Sequence, residues 1–112
     1  AIISDHSLIG SGVLINAAAI INAGAKIGEN AIINTATIIE HEVAVGKHCH
    51  ICSGVNIGGR TRIGESTFIG IGSSVKDFVT IGANVIIGAG SVIINNVKTN
   101  TTVVGVPGRQ IK

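Results

Sequence analysis

Every sixth residue from Ile3 to Ile93 is Ile or Val: Ile3, Ile9, Ile15, Ile21, Ile27, Ile33, Ile39, Val45, Ile51, Ile57, Ile63, Ile69, Val75, Ile81, Ile87 and Ile93. The chain has 112 residues, of which 22 are Ile and 12 are Val. At that frequency, chance agreement at sixteen successive positions falls below about one in a hundred million. A repeat of this length, kept in register without an insertion, marks a solenoid. A parallel sandwich or an α/β domain would need helical periodicity between its strands, and none is present.

Two further phases carry the same period. Two residues before each Ile or Val stands a small residue, as in Ala19, Ala25, Ala31, Thr37 and Cys49. One residue after it, Gly or Asn fills eleven of the fifteen positions from Gly10 to Ile94. Gly and Asn tolerate positive φ or a tight corner. The pattern describes a coil of short parallel strands joined by turns, with six residues per side. Three sides make 18 residues per coil, so residues n and n+18 stack about 4.8 Å apart. Sixteen units give about five coils. The predicted organisation is an all-β parallel β-helix over residues 1–97 and a short closing tail over 98–112.

Composition narrows the function. Apolar residues make up 46% of the chain, yet the longest apolar run, from Ala17 to Ile21, is far short of the ~20 residues of a membrane span. No segment resembles a signal peptide. The formal net charge is +2, with no basic run and no interleaved aromatics, so neither nucleic acid nor membrane is an expected partner. Cys49 and Cys52 do not make a disulfide framework. Free cysteines and the missing signal point to the cytoplasm.

Few residues can do acid–base chemistry. His41, His48 and His50 fall within ten residues, and Glu40 and Glu42 flank His41. The 18-residue stacking places His41 between Ala23 and Gly59, which leaves free space beside its ring. Glu42 falls under Arg60, so it has two possible jobs: it orients His41, or it pairs with Arg60. His48 reads as an exposed turn residue. His50 shares an apolar outward column with Ile32, Phe68 and Ile86, which suits a subunit contact. Cys49 and Cys52 occupy different phases, and no metal is expected.

The hexad pattern resembles the left-handed parallel β-helix of the hexapeptide-repeat acyltransferases, and the handedness comes from that resemblance alone. The tail Val103-Val104-Gly105-Val106-Pro107-Gly108-Arg109 resembles the closing segment of that family. The motif Ile39-Glu40-His41-Glu42, with His50 nine residues beyond His41, is similar to the bacterial subfamily of sialic-acid O-acetyltransferases and UDP-4-amino-sugar N-acetyltransferases. The resemblance implies an acetyl-CoA-dependent acetyltransferase acting on an amino or hydroxyl group of a sugar or nucleotide-sugar. It makes His41 the general base and Glu42 its partner, and it places Asn34 near the acceptor. Contacts to acetyl-CoA fall to His50, Gly59, Ile71, Ala89, Pro107 and Arg109, with the Gly59 N–H as oxyanion donor. Arg109 stands where Lys is usual and keeps a positive charge for phosphate. The resemblance also implies a homotrimer with the site between prisms, and direct transfer without an acyl-enzyme. Family members carry a preceding sugar-nucleotide-binding domain, which this stretch of sequence lacks. The alternative reading is a non-catalytic trimeric β-helix scaffold.

Overall fold

A computed structural model describes residues 1–112 as a prism with principal extents of 38 × 21 × 20 Å. It is a left-handed parallel β-helix whose strands are mostly two residues long. The first wall stacks Ile2–Ile3, Ile20–Ile21, Ile38–Ile39, Asn56–Ile57, Ser74–Val75 and Val92–Ile93. The second stacks Leu8–Ile9, Lys26–Ile27, Ala44–Val45, Arg62–Ile63 and Thr80–Ile81. The third runs from Leu14–Ile15 through Ile32–Ile33, His50–Ile51, Phe68–Ile69 and Ile86–Ile87 to Thr102–Val104. The pairing register is the predicted 18 residues, as in Ile20↔Ile38 and Ile33↔Ile51.

The register changes once. Val97 bridges Ile81, and Val103 pairs with Ile87, each at a separation of 16. The side after Ile93 is therefore two residues shorter than the others. Val97 and Val103 take over the role of the large inward residue, which Thr99 and Gly105 could not fill. They add a sixth residue pair to two walls, so the stack reaches six coils where the sequence repeat indicated about five.

The core follows directly from the hexad. The Ile and Val ladder is almost fully buried from Ile21 to Ile93, and the small-residue phase from Ala19 to Ser91 is buried beside it. Where that small residue is polar, its hydroxyl is satisfied by a corner carbonyl: Thr37 Oγ1 donates to Cys52 O at 2.7 Å and Thr61 Oγ1 to Lys76 O at 3.0 Å, each 15 residues on, and Ser91 Oγ to Gly88 O of its own coil at 2.6 Å. The ends differ. Ile3 and Ile9 are exposed because no coil lies beneath them. At the other end the tail folds back, with Val104 opposite Arg109 in an antiparallel pair. Gly108 lies against Ile93 and Val103, and these stay buried although they belong to the last coil.

The Gly and Asn phase works differently from the expectation of positive φ. Gly28, Gly46, Gly58 and Gly64 have no positive φ. They are needed because a Cβ there would meet backbone of the next coil at 2.5–2.6 Å. Positive φ falls two residues later, as at Gly24, Asn30, Glu42, Arg60 and Phe78. That conformation turns the N–H toward the coil below, as in Glu42 N to Ala23 O at 3.0 Å.

Candidate active site

The corner between the first and second walls carries the acid–base group. The strand Ile38–Ile39 ends at Glu40, and the turn His41–Glu42 leads into Ala44–Val45. The turn lifts both side chains outward; they are 57% and 53% exposed. His41 Nδ1 lies 3.6 Å from Glu42 Oε1, an ion-pair distance rather than a hydrogen bond. The same oxygen accepts a hydrogen bond from Arg60 Nη2 at 3.2 Å. The two jobs that the sequence left open for Glu42 are thus held by one oxygen. The Arg60 guanidinium, first by its hydrogen bond and then by its charge, holds the Glu42 carboxyl below its usual range, and His41 adds to this.

The other ring nitrogen faces Gly59. A Cβ at Gly59 would stand 2.6 Å from His41 Nε2 and 2.9 Å from Cε1. Gly59 is therefore the floor on which the imidazole rests, as the stacking predicted. With Nδ1 facing the carboxylate, Nε2 is the nitrogen free to accept a proton. The Gly59 N–H donates to no backbone or side-chain acceptor of the chain. Most residues at this turn position share that property, Ile71 and Ala89 among them. What is particular to Gly59 is the missing Cβ beside the His41 ring.

The remaining predicted residues lie elsewhere on the prism. Asn34, Ile71 and Ala89 sit on the corner between the third and first walls, and His50 faces outward from the third wall. Pro107 and Arg109 belong to the tail beside that same wall. Asn34 Oδ1 already accepts from Asn16 Nδ2 and from the Thr35 N–H, both at 2.8 Å, so its amide has only donors to offer. His50 is half-buried and meets the Phe68 ring edge-on, with centroids 5.4 Å apart. Its Nε2 is buried without a partner, which leaves Nδ1 for a ligand. His48 is exposed on the corner between the second and third walls, away from both groups. One chain thus assembles His41, Glu42, Gly59 and Arg60, and keeps all the other predicted contacts on different faces of a prism about 20 Å across.

Cysteine chemistry is disfavoured. Cys49 is buried and donates to Gly64 O at 3.0 Å; burial pushes its thiol, and that of Cys52, above the usual range. Sequence reasoning missed Phe78. Its ring lies over Arg60, with the guanidinium carbon 5.6 Å from the ring centroid. The 18-residue step from Arg60 leads to it directly. A hollow of about 360 Å³ adjoins Glu42 on the second wall, lined by Gly24, Lys26, Val43, Ala44 and Arg62. Neither Lys26 nor Arg62 is in an ion pair.

Residues 60–95 match the model of the bacterial transferase hexapeptide family (six repeats). The β-helix is similar to those of sugar acetyltransferases. The acetyltransferase domain of PglB from Neisseria gonorrhoeae is 34% identical, with a TM-score of 0.97 over 98% of this chain and 54% of that one. PerB from Caulobacter crescentus, solved with CoA and GDP-perosamine, is 35% identical, with a TM-score of 0.98 over 99% of this chain and 54% of its own. A maltose O-acetyltransferase from Clostridium difficile is more distant, at 25% identity and a TM-score of 0.76 over 96% of this chain and 66% of that one. The chain spans about half the length of the first two. No curated protein sequence matches it.

Proposed function

We propose that this chain is the β-helix of an acetyl-CoA-dependent acetyltransferase that acylates an amino group of a nucleotide-linked sugar. The observation that carries the reading is the His41–Glu42 pair, with Nε2 of the ring set over Gly59. It stands in a fold shared with PerB, which was solved with CoA and GDP-perosamine. The amino acceptor is favoured over a hydroxyl because the nearer neighbours include a perosamine N-acetyltransferase.

In this reading His41 Nε2 takes the proton from the acceptor amine as its nitrogen attacks the thioester carbonyl. The N–C bond forms, and the carbonyl oxygen, carrying the negative charge, is met by the Gly59 N–H. Collapse breaks the C–S bond, and the CoA thiolate leaves with the proton that His41 held. Glu42 faces the imidazolium at Nδ1 while it lasts. Direct transfer is supported by the two thiols, whose burial disfavours the thiolate an acyl-enzyme would need. Lys26 and Arg62, the unpaired cations beside the corner, suit substrates that carry phosphates.

The separation of the two residue groups supports a homotrimer. His41 on one prism would meet acetyl-CoA held by His50, Ile71, Ala89, Pro107 and Arg109 of a neighbouring copy, with Asn34 beside the acceptor. The exposed apolar column of Leu14, Phe68 and Ile86 on the third wall supplies a surface for that contact.

The test is CoA release from acetyl-CoA with a panel of nucleotide-linked 4-amino sugars, comparing the chain with His41→Ala. The variant is expected to lose transfer by about 10²–10⁴-fold while keeping its oligomeric state and its affinity for acetyl-CoA. Undiminished transfer by the variant refutes the base; a folded trimer that binds no acetyl-CoA favours the scaffold reading.

A further inference from the structure

We propose that Arg60, braced by Phe78, is a positioning residue that fixes the Glu42 carboxylate against His41. The proposal rests on His41 being the base.

Gly24, Glu42, Arg60 and Phe78 form one column up the corner, each the left-handed residue of its turn, with φ of 77°, 57°, 59° and 61°. Positive φ recurs at this turn position all along the coil, so what sets Arg60 and Phe78 apart is what their side chains touch. Phe78 fills no core position and is 64% exposed. What it does touch is the guanidinium of Arg60, at 5.6 Å from the ring centroid, within reach of a cation–π contact. Arg60 in turn donates from Nη2 to Glu42 Oε1, the oxygen that faces His41 Nδ1.

The backbone ties the column to the base. Arg60 N donates to His41 O at 3.0 Å, and Phe78 N donates to Gly59 O at 3.0 Å. Arg60 is therefore anchored to the residue whose partner it holds, and its brace is anchored to the floor beneath the ring. Glu42 is half exposed and ion-pairs with neither Lys26 nor Arg62 across the adjoining hollow, so without Arg60 its carboxylate is free to turn into water. A carboxylate kept at Nδ1 selects the Nδ1–H tautomer of the neutral ring and leaves the Nε2 lone pair over Gly59.

Nitrogen NMR of the protein labelled with ¹⁵N-histidine reads this tautomer without any substrate. The ring signals are measured at a pH where the imidazole is neutral, for the wild type and for Arg60→Ala, Arg60→Lys, Phe78→Ala and Glu42→Gln. Thermal melts show that each is folded, and single His→Gln variants assign the four histidines. The wild-type His41 ring is expected to favour Nδ1–H. Arg60→Ala should lower the Nδ1–H to Nε2–H ratio by about two- to five-fold, the span of an exposed charged pair. Arg60→Lys should restore part of it, and Phe78→Ala should fall between. In the Glu42→Gln background Arg60→Ala should add nothing, which a merely structural role would not produce. A His41 tautomer unchanged in folded Arg60→Ala overturns the proposal. If His41→Ala also abolishes transfer, only the positioning role is lost. If His41→Ala remains active, the base assignment falls and the positioning role falls with it.

Discussion

Two adjacent glycines allow stability and chemistry to be separated. A Cβ on Gly58 would meet Asp77 N at 2.5 Å and Asp77 Cα at 2.8 Å, backbone that cannot move without opening the stack. The three atoms nearest a Cβ on Gly59 all belong to the His41 ring, whose Nε2 must retreat by 0.8 Å to go from 2.6 Å to an ordinary 3.4 Å contact. The ring is 57% exposed and can swing outward. Neither glycine has positive φ, so alanine brings no backbone strain at either position. Gly58→Ala should cost about 1–3 kcal/mol, as overpacking does. Gly59→Ala should stay within about 0.5 kcal/mol of the wild type. Its kcat should nevertheless fall by about 10–100-fold, because a displacement near 1 Å takes the base out of line with the acceptor. Urea unfolding and CoA-release kinetics on the same preparations measure both. Wild-type kcat in Gly59→Ala, or wild-type stability in Gly58→Ala, refutes the reasoning.

Ile57→Ala removes a fully buried rung near the middle of the stack and should cost about 2–5 kcal/mol in denaturant unfolding; a neutral result contradicts the hexad register. Glu42 gives a pH signature. Its carboxyl is held below the usual 4.5 in the folded protein, so its stabilising contribution is whole above that value and is lost as pH falls through the lower folded one. The melting temperature of the wild type should therefore exceed that of Glu42→Gln at neutral pH and converge on it in acid, and a gap that ignores pH shows that the Arg60 pair contributes nothing.

The columns of this fold were legible because a strict period makes sequence distance equal spatial distance. Knowing that n and n+18 stack was enough to set Gly59 against His41 and Arg60 against Glu42. The same rule would have found Phe78, had it been carried one coil further. It failed where the period itself changed: after Ile93 the inward role passes to Val97 and Val103, four and ten residues on. Thr99 and Gly105, too small or too polar for the large phase, were the sign of that change. Handedness was not legible from the residues, since short two-residue strands carry no crossover geometry of their own and general rules favour the opposite hand. The glycine phase was read for its conformation, when the constraint was the approach of the neighbouring coil's backbone.

The placement of the chemistry follows from what the coil leaves free. Two of every six positions are committed to the interior and one to the close approach between coils. The outward wall position and the two turn residues remain. A wall residue stands between neighbours above and below and faces one direction, as His50 does against Phe68. A turn residue projects from a corner, and its left-handed neighbour points its own side chain to the next coil's turn. The corner is thus where residues far apart in sequence, His41 with Glu42 and Arg60 with Phe78, form a group without disturbing the ladder. In the homotrimer proposed above, the convex corner would present its group to a neighbouring copy, away from the wall of its own chain that holds His50. In that proposed assembly the apolar third wall, exposed at Leu14, Phe68 and Ile86, would lie against a second prism and deepen the hollow beside Glu42.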